Sequence, residues 1–175
     1  MRLPTRVLLI LLLSLPLAAH SARAQAADST TEVGAGKGFR ARIPGAAVVT
    51  RDSTVHPTGV VRRTRWTSSL DHPTYRVELT EYPAGTLSRF PPAQVLQEEV
   101  GNVARQVRGT VKESRAVTLG SHPGVAFTIT TTGTELSGRH YVVGNRLYTL
   151  YVLYARSIGA PQMQAFLDSF ELTER

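Results

Sequence analysis

Gly138-Arg139-His140-Tyr141-Val142-Val143-Gly144-Asn145-Arg146-Leu147-Tyr148-Thr149-Leu150-Tyr151-Val152-Leu153-Tyr154 is two apolar runs joined by Gly-Asn. Such a two-residue loop signals a hairpin, with Gly supplying the positive φ that a primed turn needs at its first central position. The turn fixes a register in which Val143 faces Arg146, Val142 faces Leu147 and Tyr141 faces Tyr148, because opposed residues share a face. One face then carries Val142, Leu147, Tyr151 and Leu153. The other carries Tyr141, Val143, Tyr148, Leu150, Val152 and Tyr154. A strand that is apolar on both sides reads as a central strand covered twice.

Working towards the C-terminus, Pro161 suits a first helical turn. Met163, Phe166, Leu167 and Phe170 then form one stripe of a short amphipathic helix. Upstream, strands are expected at Glu113 to Leu119 and Val125 to Thr132, joined by Gly120-Ser121-His122-Pro123-Gly124. Between Pro92 and Arg108 the apolar period becomes helical. Leu96, Val100, Val103 and Val107 form its stripe, widened by Val95 and Ala104, and Gly109 is expected to stop it. Glu98 and Glu99 lie nearer its start and Arg105 and Arg108 nearer its end, the arrangement that complements the helix dipole, and the two glutamates are read as solvent-exposed. Gly101 inside it costs about 1 kcal/mol against Ala, which suggests a close backbone approach.

Earlier still, Tyr75, Val77 and Leu79 alternate with Arg76 and Glu78 in a half-buried strand, Thr74 to Tyr82. Val60 to Thr67 and Ala47 to Thr50 are expected strands, and order is expected to begin with Phe39, Ala41 and Ile43. Hairpins throughout, with two helices between strand groups, give an α+β fold: one antiparallel β-sheet packed by two main helices.

The N-terminus reads as an export signal over residues 1–24. Arg2 and Arg6 precede the apolar run Val7 to Leu17, and Ala22-Arg23-Ala24 offers a small-x-small cleavage site. The apolar run is too short for a membrane span, which needs about 20 residues. No later stretch is long enough either, so no span is expected after cleavage and the chain is expected in the periplasm or secreted. Residues 25–38, ending Gly34-Ala35-Gly36-Lys37-Gly38, read as a flexible linker, and 39–175 as one domain. Those glycines lack the preceding strand and following Ser or Thr of a phosphate loop.

The full chain carries 20 Lys and Arg against 13 Asp and Glu, a formal net charge of +7. Removing Arg2, Arg6 and Arg23, three positive charges and no acids, lowers it to +4. That mild balance permits attraction to an anion without demanding one, and an exported chain is not expected to meet nucleic acid. With no cysteine, disulfides, thiol catalysis and Cys-ligated metals are excluded.

Three constellations are candidates for chemistry. His56, His72, His122 and His140, with Asp52 and Asp71, offer nitrogen and oxygen ligands for zinc or another divalent ion. Three of these histidines precede proline, however, where the chain simply turns. Arg62, Arg63 and Arg65, with Trp66, lie beside Arg76 if adjacent strands pair, and guanidinium groups grip phosphate or carboxylate. Arg62 and Trp66 point opposite to Arg63 and Arg65, so the candidate ligand-binding set is Arg63, Arg65 and Arg76. The competing reading pairs those arginines with Glu78 and Glu81 across strands. Finally, Tyr141, Tyr148 and Tyr154 share a face with Arg139 and Arg146, as at an interface, or else as part of a core. No Gly-x-Ser-x-Gly motif occurs, and no catalytic residue, metal or cofactor is assigned.

Leu119-Gly120-Ser121-His122-Pro123-Gly124-Val125-Ala126-Phe127, Arg139 to Tyr148 and Phe166-Leu167-Asp168-Ser169-Phe170 together resemble the PsbP-like group. Phe39, Ile43-Pro44-Gly45 and the Tyr75 to Pro83 strand are similar too, so the likeness runs from Phe39 to Leu172. The group takes its name from an extrinsic subunit of photosystem II and includes exported bacterial proteins. The resemblance implies an α-β-α sandwich that acts by binding rather than catalysis, and it carries over no binding residue. The expectation is an exported, non-catalytic binding or accessory module, its partner an envelope or extracellular protein or an anionic ligand. The alternative is an envelope hydrolase or metal-dependent enzyme using the loop histidines.

Overall fold

The Gly144-Asn145 turn produces the expected register in the terminal hairpin. In the computed structural model, which describes residues 29–68 and 71–173, Val143 opposes Arg146, Val142 opposes Leu147 and Tyr141 opposes Tyr148. Gly144 takes φ 59° while Asn145 stays out of the positive region, which is the requirement of a II′ turn. The two strands, β8 (Thr134–Val143) and β9 (Arg146–Ala155), lie inside a seven-stranded antiparallel sheet. Its other members are β3 (Ala47–His56), β4 (Gly59–Ser68), β5 (Thr74–Glu81), β6 (Thr110–Leu119) and β7 (His122–Thr130). The order is β3-β4-β5-β9-β8-β7-β6. The doubly apolar β9 therefore occupies the middle of the sheet.

Each face of β9 meets a different partner. On one side, Tyr148, Leu150 and Val152 join Tyr75, Val77 and Leu79 of β5 against β2 (Phe39–Pro44) and α2 (Met163–Asp168). Phe39 is fully buried there, with its ring 5.3 Å from Trp66, 5.5 Å from Tyr148 and 5.4 Å from Phe170. On the other side, Leu147 joins Leu136, Val142, Val125, Phe127 and Ile129 beneath Leu96, Val100 and Val103 of α1 (Pro92–Gln106).

Several boundaries differ from the sequence expectation. Residues 30–33, expected within the flexible linker, form β1 (Thr30–Val33), which pairs with β2; Lys37 N–H closes the intervening turn on the Gly34 carbonyl at 2.9 Å. Strand β3 runs on to His56 rather than ending near Thr50, because every residue of it finds a partner in β4. A short β10 (Glu171–Leu172) adds to the other side of β2. The proposed export signal and its cleavage site lie outside the described residues.

Helix α1 ends two residues earlier than expected, and Gly109 does not supply its left-handed cap. Arg108 does, at φ 52°. Arg108 N–H donates to the Arg105 carbonyl at 3.1 Å and Gly109 N–H to that of Ala104 at 2.8 Å, a Schellman closure with arginine in the usual glycine position. Nor does Gly101 mark a close backbone approach: a Cβ there would meet only the end of the Arg105 side chain, at 3.4 Å.

Candidate functional site

Helix α1 is too narrow to cover its whole face of the sheet. Its apolar stripe packs on β7, β8 and β9. The adjoining part of the same face, on β4 and β5, is polar because period two places Arg63, Arg65, Arg76, Glu78 and Thr80 there. The result is a cleft of about 460 Å³ between the β4–β5 surface and the flank of α1. That volume lies in the range of small-molecule sites.

All three arginines expected to bind a ligand line this cleft. They are not equivalent. Arg63 Nε lies 2.9 Å from Glu78 Oε1, near enough for an ion pair but out of line for a hydrogen bond, and its Nη1 is 3.6 Å from Asp52 Oδ1. Arg65 Nε donates to Glu78 Oε2 at 2.9 Å, and its Nη1 donates to Asp52 Oδ2. These four side chains form a neutral lattice of two cations and two anions. Arg76 stands outside it. Its Nε donates to Thr67 Oγ1 at 3.0 Å and its guanidinium lies over the Tyr151 ring, 5.3 Å from the centroid. It makes no ion pair with any described carboxylate.

The cross-strand pairing reading thus holds for Arg63 and Arg65 with Glu78. Glu81 is instead 3.8 Å from Arg146, and Asp52 takes its place beside the arginines. Arg62 and Trp66 point to the opposite face, with Trp66 buried in the core.

Several cleft residues escaped the sequence reading. Glu99, expected on the solvent side of α1, lies half-buried in the cleft wall, held by a 3.1 Å hydrogen bond from Asn102. Its position follows from helical rows: Glu99 is one turn before Val103, which the apolar stripe had already turned inward. Tyr82 and Tyr151 also line the cleft. Burial pushes the Tyr82 phenol up, and the charge of Glu99 adds to this. Burial likewise raises Tyr151, against the opposing effect of Arg76. Both hydroxyls are therefore protonated donors at neutral pH.

The histidine constellation does not assemble. His56 sits at the β3–β4 turn and His122 at the β6–β7 turn, towards opposite edges of the sheet, about five strand spacings or 24 Å apart. Among the described residues no three His, Asp or Glu side chains come together to hold a metal. His140 is completely buried, stacked on Phe127 at 4.5 Å between ring centres, with Nδ1 2.9 Å from Thr149 Oγ1. Desolvation lowers its pKa to about 3, so it is a neutral core residue. The tyrosine stripe is also core: Tyr141 and Tyr148 are buried, and half-buried Tyr154 donates to Glu135 at 2.9 Å. Among the described residues, no histidine or serine lines the cleft.

The elements above define an α+β fold dominated by antiparallel sheet. Comparison with solved structures makes the class more specific: the fold is PsbP-like. The solution structure of cyanobacterial PsbP (CyanoP) from Synechocystis sp. PCC 6803 aligns with a TM-score of 0.56 over 92% of this chain and 98% of its own, at 12% identity. At that identity the likeness establishes the fold alone. A protein of unknown function from Pseudomonas aeruginosa aligns over 73% of this chain and 84% of its own at 9% identity, but its TM-score of 0.38 supports no argument. No family model matches the sequence, and neither does any curated protein. Among the described residues no helix is long and apolar enough to cross a membrane.

Proposed function

We propose that this chain is an exported, non-catalytic binding module that takes a small anionic ligand in the cleft beside α1. The observation that carries this reading is Arg76, a half-buried residue lining the cleft that makes no ion pair with any described carboxylate. A guanidinium fork matches the two oxygens of a carboxylate or phosphate. Asp52 and Glu78 balance Arg63 and Arg65 and hold them in place, which leaves Arg76 as the cation on the cleft floor without an ion pair to a described acid. The Tyr151 ring under Arg76 restrains the fork, so little side-chain freedom remains to be lost on binding.

The organisation that goes with this reading is a signal over 1–24 and one functional domain over 39–175, with β1 and its turn as a structured approach to it. The coverage of the main sheet, by α1 on one face and by α2 with the small sheet on the other, is read as the α-β-α sandwich of the PsbP-like group. Export rests on the basic, apolar and small-x-small pattern of the N-terminus.

Thermal unfolding in inorganic phosphate and in acetate, with chloride matched at low ionic strength, tests the reading. A bound anion raises the midpoint through linkage to the folded state. Wild type should respond and Arg76→Gln should not. Equal responses from the two proteins, or none from wild type, would overturn it.

A further inference from the structure

We infer that the cleft accommodates a zwitterion, specifically a short peptide with free amino and carboxylate ends. This rests on the anion-binding reading above and adds a second charge to it.

The cleft is polarised along its length. On its floor Arg76, Glu78, Thr80 and Tyr82 follow one another at period two along and just beyond β5. Helix α1 runs antiparallel to that row. Its Glu99, at the middle of the helix and the first of its residues to line the cleft, is close enough to Tyr82 to influence the phenol. Its far end closes at Gly109 against Ile129. Ile129 belongs to the cross-strand row Ile129, Leu136, Leu153, Thr74, one pleat from Arg76. Arg76 therefore marks the end of the cleft near Gln106, and Glu99 marks the opposite end.

Charge accounting leaves these two residues distinct. Arg63 and Arg65 are balanced by Asp52 and Glu78. Arg76 has no ion pair with a described acid, and Glu99 has none with a described base. A bare anion would satisfy Arg76 and leave Glu99 facing it along the cleft. A ligand with an ammonium group at its other end satisfies both. Glu99 and Gln106 are two helical turns apart, about 10 Å at 1.5 Å per residue. An extended tripeptide covers a comparable length, at about 3.3 Å per residue. The Tyr82 and Tyr151 hydroxyls supply donors for its carbonyl groups.

Isothermal calorimetry on the mature protein with trialanine, N-acetyl-trialanine, trialanine amide and alanine tests this. Trialanine should bind tightest, and blocking either end should weaken binding about tenfold or more, the scale of one charge-assisted hydrogen bond. Glu99→Gln should erase the difference between free and acetylated peptide while keeping the preference for a free carboxylate. Acetylated peptide binding as well as trialanine would overturn the zwitterion inference, and alanine, a zwitterion too short to reach both charges, binding equally well would overturn the assignment of a peptide; either result leaves the anion-binding reading intact. No binding of trialanine, acetylated peptide or phosphate would overturn both.

Discussion

Arg76 and Arg65 share a face, a pair of hydrogen-bonded strands and a cleft, yet of the two only Arg76 lacks an ion pair with a described acid. The difference comes from neighbours: Arg65 stands opposite Glu78, whereas Arg76 stands opposite Thr67 and Tyr151. The grouping was legible in the sequence, because period-two alternation and adjacent pairing of β4 and β5 put all three arginines together, whereas the difference between Arg76 and the other two was not. Asp52 was not, since β3 was expected to stop at Thr50, and Glu99 was set aside because its i+4 relation to Val103 was not used. His140 gives a prediction at the same scale. Burial lowers its folded pKa to about 3, against about 6.5 in an unfolded chain. The unfolded form therefore binds the extra proton in the window between those values. The stability due to keeping His140 neutral is fully present above about 6.5 and is lost as pH falls through the window, at up to about 1.4 kcal/mol per pH unit. Urea unfolding at pH 7 and pH 5 should show roughly 2 kcal/mol of loss from this group, absent in His140→Gln. An unchanged pH dependence in the variant would show that His140 is not the group responsible.

At the scale of elements, α1 is the informative case. Its apolar stripe predicted the buried face, and Leu96, Val100, Val103 and Ala104 are indeed buried. Its glycines were misread because local pattern cannot report what lies across space. Gly101 has open room for a methyl group beyond the flexible tip of Arg105. Gly101→Ala should therefore stabilise the protein by roughly 0.5–1 kcal/mol through helix propensity. Gly109 behaves oppositely. A Cβ would lie 2.5 Å from Ile129 Cγ2 and 2.9 Å from the Thr130 carbonyl oxygen, and Gly109→Ala should cost about 1–3 kcal/mol through overpacking. Urea midpoints of the two variants measure both effects, and a stabilising Gly109→Ala would contradict the packing described. Strand β1 was missed for a related reason: Thr30–Val33 contains one apolar residue, and its order comes from pairing with β2.

The whole molecule is arranged around β9, the middle strand, whose two apolar faces required a cover on each side. That requirement was readable in the terminal hairpin, and it is why the architecture could be anticipated from one stretch. What covers each face depended on long-range packing: α1 on one side, and β2, β10 and α2 around Phe39 on the other. Because α1 extends over only part of its face, the fold leaves a polar cleft where β4 and β5 emerge from beneath it. The binding role we propose rests on this incomplete coverage of an otherwise well-packed sheet. The most direct measurement is amide chemical-shift mapping of nitrogen-labelled protein titrated with acetate. Anion binding at Arg76 should concentrate shifts on β5 near Arg76, on β9 near Tyr151 and on the last turn of α1, and Arg76→Gln should abolish them. Shifts scattered over surface arginines such as Arg40 and Arg42, or unchanged in the variant, would contradict it.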